Sequence, residues 1–394
     1  MTSSHATSSY ATSSRATSSR ATEKGTRRVA AIDCGTNSLR LLIADLYPES
    51  ARLVDLHRRM EIVRLGQGVD ATGRLAPEAL ERTFRVLTEY ATTITDSGAR
   101  SIRMVATSAS RDASNADDFS SGVRRILGIN PEVITGAQEA QLSFSGATAE
   151  LAADPSSEGG RVSSEGGRAS SGGGRVASDG GPDVAHHGAS RPGRPQPPFL
   201  VVDIGGGSTE FVVGSPIVAS LESATDSQAT PKLSAISMDI GCVRLTERHL
   251  RTDPPTAEQV AAATADIDEA LAKAAQAVPA SEANTLVGLA GSVTTLTAIA
   301  LELPAYDPDM VHHARISADR VHEVTKLLLS QTRDDRAANP VIHPGRVDVI
   351  GAGALIADRV MTKFGFSELV ASEHDILDGI AWSMVTGAGR RSAS

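Results

Sequence analysis

Two acidic glycine turns carry the residue types that could do chemistry in this sequence of 394 residues. In the stretch 199–214, FLVVDIGGGSTEFVVG, an apolar run ends in Asp203, three glycines follow, and Glu210 precedes a second apolar run. Glycines let backbone N–H groups approach a ligand closely, and the two carboxylates stand at the rim of the turn. A phosphate group with its metal ion would suit such a turn.

The same pattern occurs once earlier, in residues 29–45, VAAIDCGTNSLRLLIAD. There Asp33, Gly35 and Ser38 repeat the spacing of the later turn. Because the two stretches lie about 170 residues apart, they predict a duplicated fold. Both turns lead into a second apolar strand and not into a helix, so neither is a Rossmann dinucleotide turn. One glycine turn between strands is commonly a plain hairpin, whereas a matched acidic pair indicates a site.

The elements around the turns alternate between helix and strand, which predicts an α/β architecture. A third strand is expected near residues 51–56, and Pro77 should open a helix with one apolar face. A later polar loop contains Arg111, which could bind phosphate through its guanidinium or simply be solvated. Thr135 begins a helix whose first turn contains Glu139. A carboxylate there could act in catalysis or be favoured by the helix dipole alone.

Segments of low complexity divide the chain. Residues 1–25 repeat an ATSS unit and should be a disordered tail, and residues 151–198 form a Gly-, Ser- and Pro-rich insertion that cannot pack a core. We therefore expect folded domains over 26–150 and 199–388, followed by a short tail at 389–394. The insertion is interpreted as a flexible surface segment between the two domains.

Composition narrows the class of protein. The formal net charge of -9 argues against general binding of nucleic acids. The two cysteines, Cys34 and Cys242, cannot form a disulfide framework, and neither a signal peptide nor a long apolar run is present. We therefore expect a cytoplasmic protein without a membrane segment, whose cores are mainly aliphatic because aromatic residues make up 3% of the chain.

Several motifs in order resemble one family. The two glycine turns, together with TSASRD, ITGAQEAQL, GCVRLTE and SEHDILDG, are similar to the exopolyphosphatase and guanosine pentaphosphate phosphohydrolase (Ppx/GppA) family, especially its short actinobacterial members. The resemblance runs from about residue 27 to about residue 386 apart from the insertion. It implies two ribonuclease H-like domains of the actin and sugar-kinase superfamily with a cleft between them, and it suggests a homodimer.

The resemblance also implies roles for single residues. Glu139 matches the family's catalytic glutamate, and Asp203 and Glu210 would surround a Mg²⁺ ion. The residues implied to bind phosphate are Asp33, Gly35, Thr36, Asn37, Ser38, Arg111, Gly205, Gly206, Gly207, Ser208 and Thr209.

The expected reaction is Mg²⁺-dependent release of terminal orthophosphate from inorganic polyphosphate. No lysine follows the glycines and no nucleophilic cysteine motif is visible, so direct attack by water is favoured over a phosphoenzyme. The closest alternative is hydrolysis of guanosine pentaphosphate (pppGpp) at the same site. A small-molecule kinase of the superfamily and a noncatalytic phosphate sensor are further alternatives, and both fit the glutamate on the helix less well.

Overall fold

The computed structural model describes most of the chain. The described ranges are residues 25–48, 52–152, 194–216 and 233–385. Apart from a few residues at their borders, three predicted segments lie outside the described residues: the tail 1–25, the insertion 151–198 and the tail 389–394.

The strands and helices follow one another as the alternating pattern predicts. The strands are β1 (Arg27–Cys34), β2 (Ser38–Tyr47), β3 (Arg52–Ile62), β4 (Ser101–Ala106), β5 (Glu132–Val133), β6 (Phe199–Ile204), β7 (Thr209–Gly214), β8 (Ser234–Met238), β9 (Thr285–Leu289), β10 (Arg315–Ser317) and β11 (Glu368–Ala371). The helices are α1 (Val69–Thr72), α2 (Pro77–Ser97), α3 (Ser108–Asp112), α4 (Ala116–Leu127), α5 (Gly136–Ala152), α6 (Cys242–Arg248), α7 (Ala257–Ala277), α8 (Ala290–Ala300), α9 (Pro308–Val311), α10 (Ala318–Ser330), α11 (Arg333–Ala337), α12 (Ile350–Phe364) and α13 (Ile376–Ser383).

The strands form two sheets with the same topology. The first sheet has the order β3-β2-β1-β4-β5, and the second contains β8-β7-β6-β9-β11 in the corresponding order, with β10 added at its edge. In both sheets the strands of the glycine hairpin are antiparallel, and the first strand of each hairpin pairs in parallel with a later strand. This correspondence confirms the predicted duplicated α/β fold.

Local sequence signals place several elements. Helix α2 begins at Pro77, as predicted. The capping box before α5 is formed, because the Thr135 N–H donates to Gln138 Oε1 at 2.9 Å and the Gln138 N–H donates to Thr135 Oγ1 at 3.3 Å. The third strand was predicted too short: it pairs with β2 as far as Ile62, opposite Ser38.

The cores are aliphatic, as the composition predicts. In the first sheet, residues such as Ile32 and Leu41 are fully buried beneath α2 and α4. In the second, Leu200 and Leu286 pack with the long helices α7 and α12. None of the helices in the described part of the chain combines the length and apolarity needed to cross a bilayer.

Helices α5 and α13 are exchanged between the two sheets. The apolar residues of α5, including Ala140 and Phe144, pack on the second sheet against Phe199 and Val201. The residues of α13 instead pack on the first sheet. The two helices also pack directly against each other. The ends of the first and second halves of the chain therefore meet beside the two glycine turns.

Two glycines allow this helix pair to approach closely. A Cβ atom at Gly146 of α5 would lie 1.8 Å from the carbonyl oxygen of Asp375, and one at Gly379 of α13 would lie 2.1 Å from the carbonyl oxygen of Leu142. Both obstructing atoms belong to the backbone, which cannot move aside as a side chain does. The contact between the helices therefore requires glycine at both positions.

Replacing Gly146 by alanine should destabilise the fold. We expect the free energy of unfolding to fall by about 1–3 kcal/mol, because the new methyl group forces α13 away from α5. The matched control is Gly351→Ala in α12, where the nearest obstruction is a flexible side-chain atom of Leu329 at 3.3 Å; this change should stay within about 1 kcal/mol. Urea unfolding measures both values, and equal effects of the two substitutions would contradict the close contact.

Candidate active site

Both glycine turns lie at the carboxyl ends of central strands, one in each sheet. The Gly35 N–H donates to the Ser38 carbonyl at 3.0 Å, and the Gly205 N–H donates to the Ser208 carbonyl at 3.0 Å. The two turns therefore have the same local fold, which the repeated spacing in the sequence predicts.

The two turns also contact each other. A Cβ atom at Gly206 would lie 3.1 Å from Thr36 Cβ, and one at Gly207 would lie 2.6 Å from the hydroxyl oxygens of both Thr36 and Ser108. Those two hydroxyl oxygens are 2.8 Å apart and share a hydrogen bond. Glycine is therefore required where the second turn meets the first half of the chain.

A cavity of about 80 Å³ lies at this junction, and both halves of the chain line it. The first half contributes Asp33, Arg40 and the turn after β1, and the second half contributes Asp203 and Arg346. The start of α8 closes another side. The wall of the cavity thus combines backbone N–H groups, two arginines and two carboxylates, which are groups that recognise a phosphate together with a cation.

The two hairpins differ at one cross-strand pair. Asp33 lies opposite Arg40, whereas Asp203 lies opposite Glu210. Arg40 Nη2 donates to Asp33 Oδ2 at 2.7 Å, and its Nη1 donates to Asp375 at the start of α13. The first aspartate is therefore paired with an arginine, although burial still raises its pKa, while the second faces another carboxylate.

Three buried carboxylates stand together on the side of the second turn. Helix α5 packs on β7 and β8, which places Glu139, in its first turn, within electrostatic range of Asp203 and Glu210. Burial, followed by the charges of Glu210 and Asp203, raises the pKa of Glu139 well above its usual value. Burial also raises the pKa of Asp203 to about 6 and, together with the charge of Asp203, raises the pKa of Glu210 to about 8. This site is short of positive charge.

Serine hydroxyls orient two of these carboxylates. Ser143 Oγ, one turn after Glu139 in α5, donates to Asp203 Oδ2 at 2.6 Å. Ser237 Oγ on β8 donates to Glu210 Oε1 at 2.7 Å. Neutral donors of this kind fix the positions of the carboxylates and leave their charge in place.

Arg111 lies beside the predicted catalytic glutamate. Its Nη1 donates to the carbonyl oxygen of Ile134 at 3.0 Å and to Glu139 Oε2 at 3.3 Å. The first bond anchors the guanidinium on the segment before α5. The second orients one oxygen of Glu139.

The predicted site residues divide into two groups. Those that line the cavity are Asp33, Gly35, Thr36, Asn37, Ser38, Asp203, Gly205 and Gly206. Those outside its wall are Glu139 and Glu210 with Arg111, Gly207, Ser208 and Thr209. The Thr209 hydroxyl is fully buried and donates to the carbonyl oxygen of Ile240 at 2.5 Å, so the fold itself uses this group.

Sequence reasoning missed several residues of the site. Arg40 follows Asp33 by the same spacing as Glu210 follows Asp203, and this match could have revealed it. Arg346 gave no such signal. It comes from the segment before α12 and donates to Thr295 Oγ1 at 3.1 Å.

The donor set fits a hard divalent cation. No three His, Cys, Asp or Glu side chains form a complete metal cage within the described ranges. Mg²⁺ does not need one, because it keeps several water ligands and commonly binds one or two carboxylates together with substrate phosphates. Asp203 and Glu210 supply two carboxylates whose pKa values are raised first by burial and then by neighbouring carboxylates.

Comparison with known proteins identifies one relative over nearly the whole chain and another over about two thirds of it. Exopolyphosphatase 2 of Mycobacterium tuberculosis is 45% identical over 368 residues, which are 91% of this chain and 98% of the relative. A guanosine-5'-triphosphate,3'-diphosphate pyrophosphatase of Photobacterium profundum is 29% identical over 272 residues, which are 69% of this chain and 43% of the relative.

Solved structures give the same result. An exopolyphosphatase-like protein aligns with a TM-score of 0.73 and 38% identity over 92% of this chain and 99% of its own. The Aquifex aeolicus PPX-GPPA enzyme aligns with a TM-score of 0.65 and 29% identity over 91% of this chain and 99% of its own. The model of the Ppx/GppA phosphatase family matches residues 42–157 and 186–387. The resemblance noted in the motifs is thereby confirmed, and the chain belongs to the Ppx/GppA phosphatase family.

Proposed function

We propose that this protein is an exopolyphosphatase that releases terminal orthophosphate from inorganic polyphosphate by direct attack of water. One observation carries the proposal: three buried carboxylates, Glu139, Asp203 and Glu210, adjoin a cavity walled by two facing glycine turns. A phosphoanhydride hydrolase needs a positioned water, neutralisation of phosphoryl charge and room for in-line attack. We assign phosphate binding to the cavity and activation of water to the cluster of carboxylates beside it.

The cavity side binds the terminal phosphoryl group. Backbone N–H groups of the two glycine turns are the donors suited to phosphate oxygens, and the hydroxyl of Ser38 adds to them. Arg346 and Arg40 face the same cavity and carry positive charge, and Arg40 shares its charge with Asp33 and Asp375. We also propose that the other turn residues named in the sequence analysis bind phosphate.

The carboxylate side activates water. Glu139, oriented by Arg111, is the group that would take a proton from the attacking water. Its raised pKa makes it a stronger base than an ordinary glutamate once it has lost its own proton. Cys242 lines the cavity, but burial raises the pKa of its thiol, which disfavours the nucleophilic thiolate, and no lysine is among the described residues of the cavity wall. Both observations support a direct displacement by water.

Exopolyphosphatases of this family generally use a divalent metal ion. We assign Mg²⁺ as that ion and place it on Asp203 and Glu210, the two carboxylates that face each other across β6 and β7. When bound there, Mg²⁺ would neutralise charge on the phosphoryl oxygens and lower the pKa of the surrounding carboxylates.

Polyphosphate is favoured over pppGpp by the similarity to known relatives. The relative at 45% identity is named an exopolyphosphatase, whereas the one named for the guanosine substrate is 29% identical. Hydrolysis of pppGpp at the same turns remains the alternative.

The remaining expectations concern the oligomeric state and the location of the protein. Membership of the family supports a homodimer, and the composition supports a cytoplasmic location. Light scattering on the full chain tests the first, since a mass twice that of the 40.9 kDa monomer is expected.

The purified wild-type protein should release orthophosphate from long-chain polyphosphate with Mg²⁺ and lose this activity with a chelator. Glu139→Gln should reduce kcat by about 100-fold or more, because an amide cannot accept the proton, while polyphosphate binding is retained. Phosphate release and filter binding measure the two effects.

Two outcomes would contradict these expectations. Faster turnover of pppGpp than of polyphosphate at equal concentration would reverse the order of substrates. An active Glu139→Gln protein would exclude Glu139 as the general base.

Stability without metal should depend on pH. The folded state holds protons on Asp203 and Glu210 more tightly than the unfolded chain does, so stability should fall as the pH rises from the unfolded-state value of about 4 towards about 8. Mg²⁺ should therefore raise Tm more at about pH 8 than at about pH 5.5, where it competes with protons.

Thermal unfolding scans with and without Mg²⁺ test this pH dependence. Glu210→Gln is the control, because a neutral side chain removes one of the titrating groups and should flatten the dependence. An equal gain in Tm from Mg²⁺ at both pH values would show that these carboxylates do not hold the ion.

A further inference from the structure

Arg244 connects three elements through one guanidinium group. Its Nε donates to the carbonyl oxygen of Gly207 in the second glycine turn at 2.7 Å. Its Nη1 donates to Asp70 Oδ1 of α1 at 2.7 Å, and its Nη2 donates to Asp112 Oδ2 of α3 at 2.7 Å. The Arg244 side chain is 13% exposed, whereas those of Asp70 and Asp112 are 22% and 34% exposed, so these charge-assisted bonds are partly shielded from water.

The backbone around Arg244 binds the same turn. The N–H groups of Val243 and Arg244 donate to the carbonyl oxygen of Gly206 at 2.9 and 3.1 Å, and the Cys242 N–H donates to the carbonyl oxygen of Gly205 at 3.0 Å. The start of α6 and the second glycine turn are therefore one rigid unit. The arginine side chain extends from that unit to Asp70 and Asp112 in the first half of the chain.

The position of this unit determines how closely the second glycine turn approaches the first half of the chain. Gly207 has no room for a Cβ atom against Thr36 and Ser108, so the second turn is in close van der Waals contact with the first half of the chain. Asp112 follows Arg111, which holds Glu139. One guanidinium thus links the second turn to α3, the helix that contains Arg111.

We propose that Arg244 is a positioning residue that locks the second glycine turn against the first half of the chain and so sets the spacing between the two turns that grip the phosphoryl group. The proposal rests on the proposed function for its catalytic consequence, but the lock itself can be measured without substrate. A displacement of about 1 Å at a reacting centre commonly costs about 100-fold in rate, so a loosened turn should lower kcat more than it weakens binding.

Arg248 provides a matched control. It lies one turn later in α6 and donates to the same Asp70 through Nε at 2.7 Å and Nη2 at 2.8 Å. Its third contact is with Asp266, at 3.3 Å, and it makes no hydrogen bond to the glycine turn. Replacing it removes an ion pair between the halves without touching the turn.

The test compares Arg244→Lys with Arg248→Lys. Lysine keeps the positive charge, but it cannot hold three acceptors in the fixed geometry of a guanidinium. The first readout is hydrogen exchange of the backbone amides of residues 204–209 in the free protein. The second is kcat and KM for polyphosphate at saturating Mg²⁺.

We expect amide exchange in the turn to accelerate about tenfold in Arg244→Lys and to stay unchanged in Arg248→Lys. We also expect kcat to fall about tenfold or more in Arg244→Lys with KM within about threefold. Asp112→Asn, which removes one acceptor and leaves the arginine, should change both readouts in the same direction by a smaller factor. This second variant keeps the test decisive if Arg244→Lys fails to fold.

Two results would overturn the proposal. Unchanged exchange in both Arg244→Lys and Asp112→Asn would show that the arginine does not lock the turn. Faster exchange with unchanged kcat would show that the lock has no catalytic role. A wild-type protein inactive on polyphosphate would instead refute the proposed function, and the exchange measurement would still decide whether the lock exists.

Discussion

The site depends on one difference between two otherwise matching strand pairs. In the first hairpin Asp33 faces Arg40, and in the second Asp203 faces Glu210. Duplication of the fold supplies two turns of the same shape, and both can present N–H groups to phosphate. The cross-strand partner then distinguishes the two turns, because Asp33 is paired with an arginine, although burial still raises its pKa, whereas Asp203 adds to a second buried negative charge. We therefore propose that the cation and the chemistry belong to the second turn.

The exchange of α5 and α13 completes this asymmetry. Helix α5 comes from the first half of the chain but lies on the second sheet, and it delivers Glu139 and Ser143 to the negatively charged turn. Helix α13 comes from the end of the chain but lies on the first sheet, and the aspartate that caps it shares Arg40 with Asp33. Each turn thus receives its helix from the opposite half. Burying unpaired carboxylates disfavours folding, and such a local cost is expected where a site is built to hold a cation.

Much of this arrangement could be predicted from the sequence because it depends on local patterns. The glycine spacing identified both turns, and the Thr135 capping box placed Glu139 in the first turn of a helix. The full length of β3 was not predictable in this way, because its later residues include a run of charged side chains typical of an exposed edge. The site residues that were missed come from distant segments. Arg346 and Ser237 reach the site through the packing of the second sheet and its helices, which no short pattern in the sequence records.

Calorimetric titration of Mg²⁺ into metal-free protein tests the central claim most directly, with the wild type beside Asp33→Asn and Glu210→Gln. If the cross-strand partners decide where the cation binds, the wild type and Asp33→Asn should bind Mg²⁺ with similar affinity. Glu210→Gln should bind at least about tenfold more weakly, a loss of about 1.4 kcal/mol in binding free energy. Wild-type affinity in Glu210→Gln together with a loss of binding in Asp33→Asn would contradict the account, because it would place the cation on the first turn.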